Sequence, residues 1–211
     1  MHFPEPIRGA VFDFDGLLAD TEPTWGEIEG SLFARRGLTY GPVERSWFLG
    51  ASVGDTVTIM SERFGEDVDA LMAEMEDVAG AAFRKEVRPM PGAVELVHRL
   101  RRAIPVAIAS NTTNALLRIA VSGLGLPEVP VMVASDDVAR PKPAPDMYLR
   151  ACELLGVPPA ECVAFEDSVT GAAAARAAGL FLVAVPTVPG SVTDADLILE
   201  SLADPLLERI G

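Results

Sequence analysis

Short apolar runs alternate with longer stretches of helical periodicity in the C-terminal part of the chain, from Pro91 onward. The apolar runs predict buried strands, because strands covered on both faces are nearly continuous in apolar residues. The predicted strands are residues 106–109, 131–134, 163–165 and 181–185, and the predicted helices are residues 92–102, 113–123, 145–155 and 169–178. Strands that alternate with helices are typical of a parallel sheet covered by helices on both faces.

The N-terminal part of the chain has a different pattern. An apolar run that ends in two carboxylates predicts a short buried strand over residues 10–14. Three helices are predicted after it, from about Pro23 to Arg36, from Asp55 to Phe64 and from Asp67 to about Lys85. No strand pattern of any strength follows before Pro89. The sequence therefore predicts an α/β protein whose sheet is formed by residues 1–20 and 91–211, with an all-helical insertion over residues 21–90.

Details of these three helices follow from their apolar positions and their ends. In the first helix, Trp25, Ile28 and Leu32 share one face. Asp55 is expected to cap the second helix, and Gly65 to end it. In the third helix the residues expected to point inward are Val68, Leu71, Met75, Val78 and Phe83.

The composition indicates a globular protein, since 49% of the 211 residues are hydrophobic and 23% are charged. No apolar run reaches the length of a membrane-spanning helix. The start, Met1 to Pro6, lacks the basic and then apolar order of a secretory signal. Cys152 and Cys162 match no zinc or redox spacing and are interpreted as packing residues. We therefore expect a cytoplasmic protein with no membrane partner.

The net charge of −14 restricts the class of ligand. A nucleic-acid partner is not expected, because the sequence shows no basic patch. An acidic protein also repels phosphate esters at long range. A phosphate site in this chain would therefore need local cations.

Polar residues follow the predicted strands at the point where each strand ends, and ligands of open α/β sheets bind beyond those ends. These residues are Asp13 and Asp15; Ser110, Asn111 and Thr112; Ser135, Asp136 and Asp137, followed by Arg140 and Lys142; and Glu166, Asp167 and Ser168. Groups of complementary chemistry are thus expected at one edge of the sheet.

The residue types at this edge suit the transfer of a phosphoryl group. Asp13, Glu166 and Asp167 offer the oxygen ligands that Mg²⁺ prefers. Lys142 offers a positive charge, while the Ser110 hydroxyl and the start of helix 113–123 offer hydrogen-bond donors for a phosphate. A carboxylate can attack phosphorus, which divides the reaction into two easier steps. A second acid two residues further on lies on the same side of an extended segment and can move the protons.

The same residues carry a resemblance to a known family. Residues 13–22, with the sequence DFDGLLADTE, resemble the first motif of the haloacid dehalogenase superfamily. Ser110-Asn111 resembles its second motif, Lys142 its third and Glu166-Asp167 its fourth, in the same order and at similar spacing. The segments around Lys142 and Glu166 are similar to those of β-phosphoglucomutases and small sugar phosphatases, which carry a helical cap where the insertion is predicted.

The resemblance implies a Rossmann-like core and a role for each residue. Asp13 would be the nucleophile and Asp15 the general acid and base. Asp13, the backbone carbonyl of Asp15, Glu166 and Asp167 would surround Mg²⁺, and Ser110, Asn111 and Lys142 would hold the phosphate. The expected reaction is Mg²⁺-dependent hydrolysis of a small phosphorylated metabolite through an aspartyl-phosphate.

Other functions remain as alternatives. β-Phosphoglucomutases carry a histidine and an arginine where this chain has Trp25 and Val53, so hydrolysis is favoured over mutase activity. Related dehalogenases lack the second aspartate of the first motif, whereas Asp15 is present. A non-catalytic module on the same fold is disfavoured, because no catalytic group is missing.

Some roles stay open in the sequence. Asp136 and Asp137 are interpreted either as part of the site or as a polar loop beside it, and Arg140 as a possible further positive charge. Specificity is expected from the segments around Trp25 and Phe48–Ser52, which are apolar and lack obvious charged anchors. The substrate and the oligomeric state are not predicted.

Overall fold

The computed structural model describes residues 6–210, so Met1–Glu5, where a signal sequence was judged absent, lie outside the described residues. Its strands form one six-stranded parallel sheet in the order β3-β2-β1-β4-β5-β6. The strands are β1 (Gly9–Phe12), β2 (Val106–Ser110), β3 (Val131–Ala134), β4 (Cys162–Glu166), β5 (Phe181–Ala184) and β6 (Leu197–Ile198). The α/β fold and the parallel sheet are therefore as predicted.

Helices cover both faces of the sheet. One helix precedes each of the strands β2 to β5. In chain order these helices are α5 (Ala93–Leu100), α6 (Asn114–Gly123), α7 (Asp146–Leu155) and α8 (Val169–Ala178). Alternate residues of β1 point to opposite faces, so Phe12 stacks on Phe165 at 4.6 Å in one apolar cluster while Val11 packs with Tyr148 in the other. Within residues 6–210, the 3₁₀ helices Ser135–Asp137 and Pro159–Glu161 lie between β3 and β4, and a third, Pro205–Arg209, follows β6.

The segment between β1 and β2 is helical. It contains α1 (Glu22–Arg35), α2 (Pro42–Ser46), α3 (Val53–Phe64) and α4 (Val68–Lys85), and no strand is assigned within residues 22–85. Helix α4 packs on α1, α3 and α6, and the apolar residues of the insertion belong to the same cluster as one face of the sheet. The division into a core of residues 1–20 and 91–211 and a cap of residues 21–90 remains a prediction.

Several local predictions were wrong. The N-cap of α3 is Ser52, whose Oγ accepts from the Asp55 backbone N–H at 3.1 Å; Asp55 lies in the first turn and accepts the Ser52 hydroxyl at 2.7 Å. Val68 is 41% exposed, because it is the first residue of α4 and precedes the stripe that packs inward. The five-residue α2 and the two-residue β6 are too short to show a period and were not predicted.

Among residues 6–210, no helix combines the length and the apolar composition that crossing a membrane requires. The two cysteines are free and buried in the cluster on the α7 side of the sheet, as expected of packing residues.

Candidate active site

Strand β1 is fully buried and delivers Asp13 and Asp15 to the carboxyl edge of the sheet. The strand ends at Phe12, so both acids follow it, although Asp13 N–H still donates to the Phe165 carbonyl at 3.0 Å. Gly16 then reverses the chain with φ of 80°, and a Cβ at this position would lie 2.3 Å from Asp167 Oδ2. Only glycine therefore fits this turn beside the acids.

Lys142 lies at the centre of the edge and is almost completely buried. Its Nζ donates to Asp13 Oδ1 and to Glu166 Oε1, both at 2.6 Å, and to the Ala109 carbonyl at 2.8 Å. These three acceptors match the three protons of an ammonium group. Asn111 holds the backbone of Lys142 on both sides, accepting from its N–H at 3.0 Å and donating to its carbonyl at 3.2 Å. The lysine is thus held in one position.

Three buried carboxylates lie together at this edge, and Lys142 contacts two of them, Asp13 and Glu166. Asp13, Glu166 and Asp167 each place an oxygen within 4.8 Å of the others. Burial, followed by the charge of Glu166, raises the pKa of Asp13 well above its usual range and the pKa of Asp167 to about 8. Mutual repulsion and lost hydration therefore oppose the ionised form, and one lysine does not balance three acids.

The arrangement fits a divalent cation. Asp167 Oδ1 is buried and has no hydrogen-bond partner among the described residues, whereas its Oδ2 accepts from Thr187 at 3.0 Å. Buried polar atoms are rarely left unpaired, and hard carboxylate oxygens are the ligands that Mg²⁺ prefers. A cation would supply both the missing partner and the missing positive charge.

Glu166 is held more fully than the two aspartates. Its Oε1 accepts from Lys142 and from the Tyr148 hydroxyl, each at 2.6 Å, and its Oε2 accepts from the Ser168 hydroxyl at 3.2 Å. Gly171 makes room for it, because a Cβ there would lie 1.9 Å from Glu166 Oε1. Glu166 is therefore fixed by protein donors from the loop before α7, from α7 and from the N-cap of α8 before any ligand binds.

Asp15 accepts four hydrogen bonds from side chains. Thr21 Oγ1 at 2.8 Å and Trp25 Nε1 at 3.0 Å donate to Oδ1. Ser110 Oγ at 2.8 Å and Thr112 Oγ1 at 2.9 Å donate to Oδ2. The Ser110 hydroxyl, expected to face a phosphate, thus donates to Asp15 in this structure. The carboxylate of Asp15 joins the first helix of the insertion to the end of β2.

Asn111 makes a second connection between the sheet and the insertion. Its side-chain amide donates to the Gly50 carbonyl at 3.3 Å, and its backbone carbonyl accepts from the Val53 N–H at 3.2 Å. The segment before α3 is therefore hydrogen-bonded directly beside Lys142.

The residues with open roles lie apart from this centre. Asp136 accepts from the Asn114 N–H at 2.8 Å, and Asp137 accepts from the Asn114 side chain at 3.0 Å, so both hold the start of α6. Arg140 is exposed and pairs with Asp146 at 2.8 Å. None of the three lines the cavity described next. Of the two interpretations, the polar loop beside the site is the one that the structure shows.

A cavity lies between the sheet edge and the insertion. Asp13, Asp15, Lys142 and Asp167 line it on the sheet side. The insertion contributes apolar residues, Trp25, Phe48, Leu49, Val53 and Met75, and three charged ones, Glu22, Glu29 and Arg45. The expectation that this side lacks charged anchors was therefore wrong. Helical spacing could have found Glu29, since it lies four residues after Trp25 and so shares its face.

Other contacts also went unpredicted. The hydrogen bonds of Thr21 and Trp25 to Asp15 depend on the packing of α1. Thr187 donates to Asp167 from just beyond β5, so the rule that located the other strand-end residues would have found it. Tyr148 lies inside α7, where nothing in the sequence distinguishes it from an ordinary core aromatic.

Comparisons with known proteins agree with this geometry. The model of a haloacid dehalogenase-like hydrolase family matches residues 7–179. The bifunctional riboflavin kinase/FMN phosphatase of Arabidopsis thaliana is 33% identical over 95% of this chain, which spans 55% of that protein. The validoxylamine A 7'-phosphate phosphatase of Streptomyces hygroscopicus subsp. limoneus is 31% identical over 96% of this chain and 97% of its own length.

A solved structure is similar over nearly the whole chain. CbbY from Rhodobacter sphaeroides, crystallised in complex with phosphate, matches with a TM-score of 0.85 and 28% identity, and the match covers 94% of this chain and 96% of CbbY. The family model covers well over half of the residues. The chain therefore belongs to the haloacid dehalogenase-like hydrolase family.

Proposed function

We propose that this protein is a Mg²⁺-dependent phosphatase that hydrolyses a small phosphorylated metabolite through an aspartyl-phosphate on Asp13. The observation that carries the proposal is the position of Asp13, which lines the cavity between Lys142 and the acids Glu166 and Asp167. The phosphatases among its relatives support phosphoric monoester hydrolysis as the reaction.

In the first step, a carboxylate oxygen of Asp13 forms a bond to phosphorus while the bond from phosphorus to the ester oxygen breaks. Asp15, which lies two residues further on in the same cavity, starts this step protonated and gives its proton to the leaving alkoxide. Thr21, Trp25, Ser110 and Thr112 orient the carboxyl group of Asp15 for this transfer.

In the second step, Asp15 accepts a proton from water as the water oxygen attacks phosphorus. The bond between phosphorus and Asp13 breaks, which releases inorganic phosphate and restores the carboxylate. Asp15 thus acts first as an acid and then as a base, and both residues return to their starting states.

The phosphate is proposed to lie against Lys142, Asn111 and Ser110. Asp13, Asp167, Glu166 and the backbone carbonyl of Asp15 would hold Mg²⁺, which supplies positive charge against the charge of the transferred group. Lys142 contributes a second, fixed charge that costs no reorganisation during the reaction. Together these charges reverse the local field of an acidic protein.

The insertion over residues 21–90 is proposed to act as a cap on the site. Its contacts with the sheet edge, through Trp25 and Asp15 and through Gly50 and Asn111, join it to the catalytic residues. A cap that covers the cavity limits water there and strengthens the electrostatic interactions inside. The cytoplasmic location remains a prediction.

Phosphomutase activity is the alternative, and one contact disfavours it. The indole N–H of Trp25 donates to Asp15 where a mutase has a histidine. An indole is a donor only and cannot shuttle a proton. Val53, at the position of the mutase arginine, offers no charge for a second phosphate.

The test is hydrolysis of a panel of phosphorylated metabolites, including sugar phosphates, polyol phosphates, phosphoglycolate and nucleotides, by the wild type and by Asp13→Asn. Release of inorganic phosphate by the wild type with Mg²⁺, and its loss in Asp13→Asn, is the expected result. Full activity in the presence of a chelator would remove the metal from the mechanism, and an active Asp13→Asn variant would remove the nucleophile.

A further inference from the structure

Three charged residues of the insertion face the catalytic acids across the cavity. Glu22 and Glu29 lie on α1 and Arg45 lies on α2, and all three line the same cavity as Asp13 and Lys142. The phosphoryl chemistry described above uses none of them. Their position opposite the phosphate site is where the alcohol part of a substrate would lie.

Arg45 is held against α1 through one nitrogen of its guanidinium, and among the described residues the other nitrogens remain free to donate hydrogen bonds. Its Nη2 donates to the Glu22 carbonyl at 3.0 Å and to Glu22 Oε2 at 3.1 Å. Its Nη1 lies over Gly26, where a Cβ would come within 2.4 Å. Glycine inside a helix is less favourable than alanine, yet here it makes room for the guanidinium. Among residues 6–210, Nη1 and Nε of Arg45 have no hydrogen-bond acceptor.

Glu29 presents a hydrogen-bond acceptor, whereas Arg45 presents donors. The residue is buried, with 7% of its surface exposed, and its Oε2 accepts the hydroxyl of Tyr40. Its Oε1 has no hydrogen-bond partner in the described part of the chain, and this oxygen is not fully enclosed by the protein. Burial raises the pKa of Glu29 to about 7. A free acceptor therefore lies beside the free donors of Arg45.

The charges of this surface decide what it can bind. The guanidinium of Arg45 is already paired with Glu22, and Glu29 adds a further acid. A second phosphate would meet no unpaired cation here and would be repelled. A hydroxyl group, in contrast, can donate to Glu29 and accept from Arg45 at the same time.

We propose that Glu29 and Arg45 form a subsite that binds the hydroxyl groups of the substrate's alcohol part and selects an uncharged polyhydroxy monophosphate over a bisphosphate. Gly26 and Glu22 position Arg45, and Tyr40 positions Glu29. The inference rests on the proposed phosphatase function and names the class of substrate for it.

The experiment measures kcat/KM for D-glucitol 6-phosphate, fructose 1,6-bisphosphate and p-nitrophenyl phosphate, which has no hydroxyl groups to bind. The wild type is expected to prefer the glucitol phosphate to the bisphosphate. Measured above the pKa of Glu29, which is about 7, Glu29→Gln should lower kcat/KM for the glucitol phosphate by about tenfold more than for the aryl phosphate, because a neutral amide oxygen accepts a hydroxyl more weakly than an ionised carboxylate does. Gly26→Ala should act in the same direction, because it displaces the guanidinium without changing any charge.

Glu27→Gln is the matched control, since Glu27 lies on the same helix, is exposed and does not line the cavity. It should change none of the ratios. Thermal unfolding shows whether each variant is folded. If Glu29→Gln does not fold, Gly26→Ala still tests the subsite, because alanine favours the helix.

Two results would overturn the subsite. One is a wild type that prefers the bisphosphate, and the other is an equal effect of Glu29→Gln and Gly26→Ala on the glucitol and aryl phosphates. A wild type that hydrolyses the aryl phosphate but shows either result leaves the phosphatase function intact. A wild type inactive on all three esters would instead refute the phosphatase function together with the subsite.

Discussion

The ammonium nitrogen of Lys142 lies 2.6 Å from Asp13 Oδ1, although 129 residues separate the two in the chain. Both side chains are buried, and the same nitrogen contacts Glu166 at 2.6 Å. The lysine therefore connects the proposed nucleophile to the proposed metal ligands.

Lys142→Ala should reduce kcat/KM by about 10²- to 10³-fold, because single preorganised electrostatic groups contribute roughly 3–4 kcal/mol to transition-state stabilisation. Steady-state hydrolysis of a cleaved substrate measures the loss. Arg140→Ala is the control: Arg140 is a cation two residues away, but it is exposed and pairs with Asp146. It should stay near wild-type activity, since exposed ion pairs contribute little. Equal activities of the two variants would show that Lys142 does not stabilise the transition state.

Mg²⁺ should raise the melting temperature of the wild type, because a cation bound only to the folded protein stabilises it. The acids Asp13, Glu166 and Asp167 repel one another without it. Asp167→Asn should diminish this rise, as it removes one charge and the ligand with an unpaired oxygen. Asp136→Asn, an acid at the start of α6, should keep it. The measurement is thermal unfolding with and without Mg²⁺, and the same rise in both variants would place the cation elsewhere.

The two aspartates after β1 should differ in the covalent step. Asp13→Asn should form no phosphoenzyme, because an amide is a poor nucleophile. Asp15→Asn should still be phosphorylated by an aryl phosphate, whose leaving group needs no proton, but should lose the phosphoryl group slowly without a base for water. Rapid-quench mass spectrometry detects the added phosphoryl group. Label found on another residue in Asp13→Asn would overturn the nucleophile assignment.

Glu29 should make the protein less stable as the pH rises. Burial raises its pKa from 4.5 to about 7, against the smaller opposing effects of Tyr40 and Arg45 and with a further rise from Glu22. The folded state thus binds the proton more tightly than the unfolded state. This contribution is fully present below about pH 4.5 and is lost as the pH rises through about 7.

Glu29→Gln should flatten that decline, while Glu27→Gln, on the exposed side of α1, should leave it in place. The free energy of unfolding is measured by urea denaturation between these pH values, with the metal removed by chelator in every sample. A decline of the same size in Glu29→Gln would assign the titration to another group.

The sequence by itself predicted the parallel α/β sheet and the polar residues that stand at its carboxyl edge. Apolar runs such as Val106–Ser110 could be recognised because a strand buried on both faces admits few polar residues. Asp13, Lys142 and Glu166 could be brought together from the sequence because parallel strands end at the same edge. Local rules of this kind also located Gly65 and Asp67 at the ends of their helices.

The tertiary structure alone decided how those residues are held and what faces them. A helical period assigns Glu29 and Trp25 to one face of α1, but not the neighbour that the face meets. The contact of Trp25 with Asp15 depends on how the insertion packs on the sheet edge, and the place of Arg45 over Gly26 depends on how α2 packs on α1. The contact of the Tyr148 hydroxyl with Glu166 likewise depends on how α7 packs on the sheet. Such contacts join different elements, so they depend on the relative placement of whole elements, which no local pattern encodes.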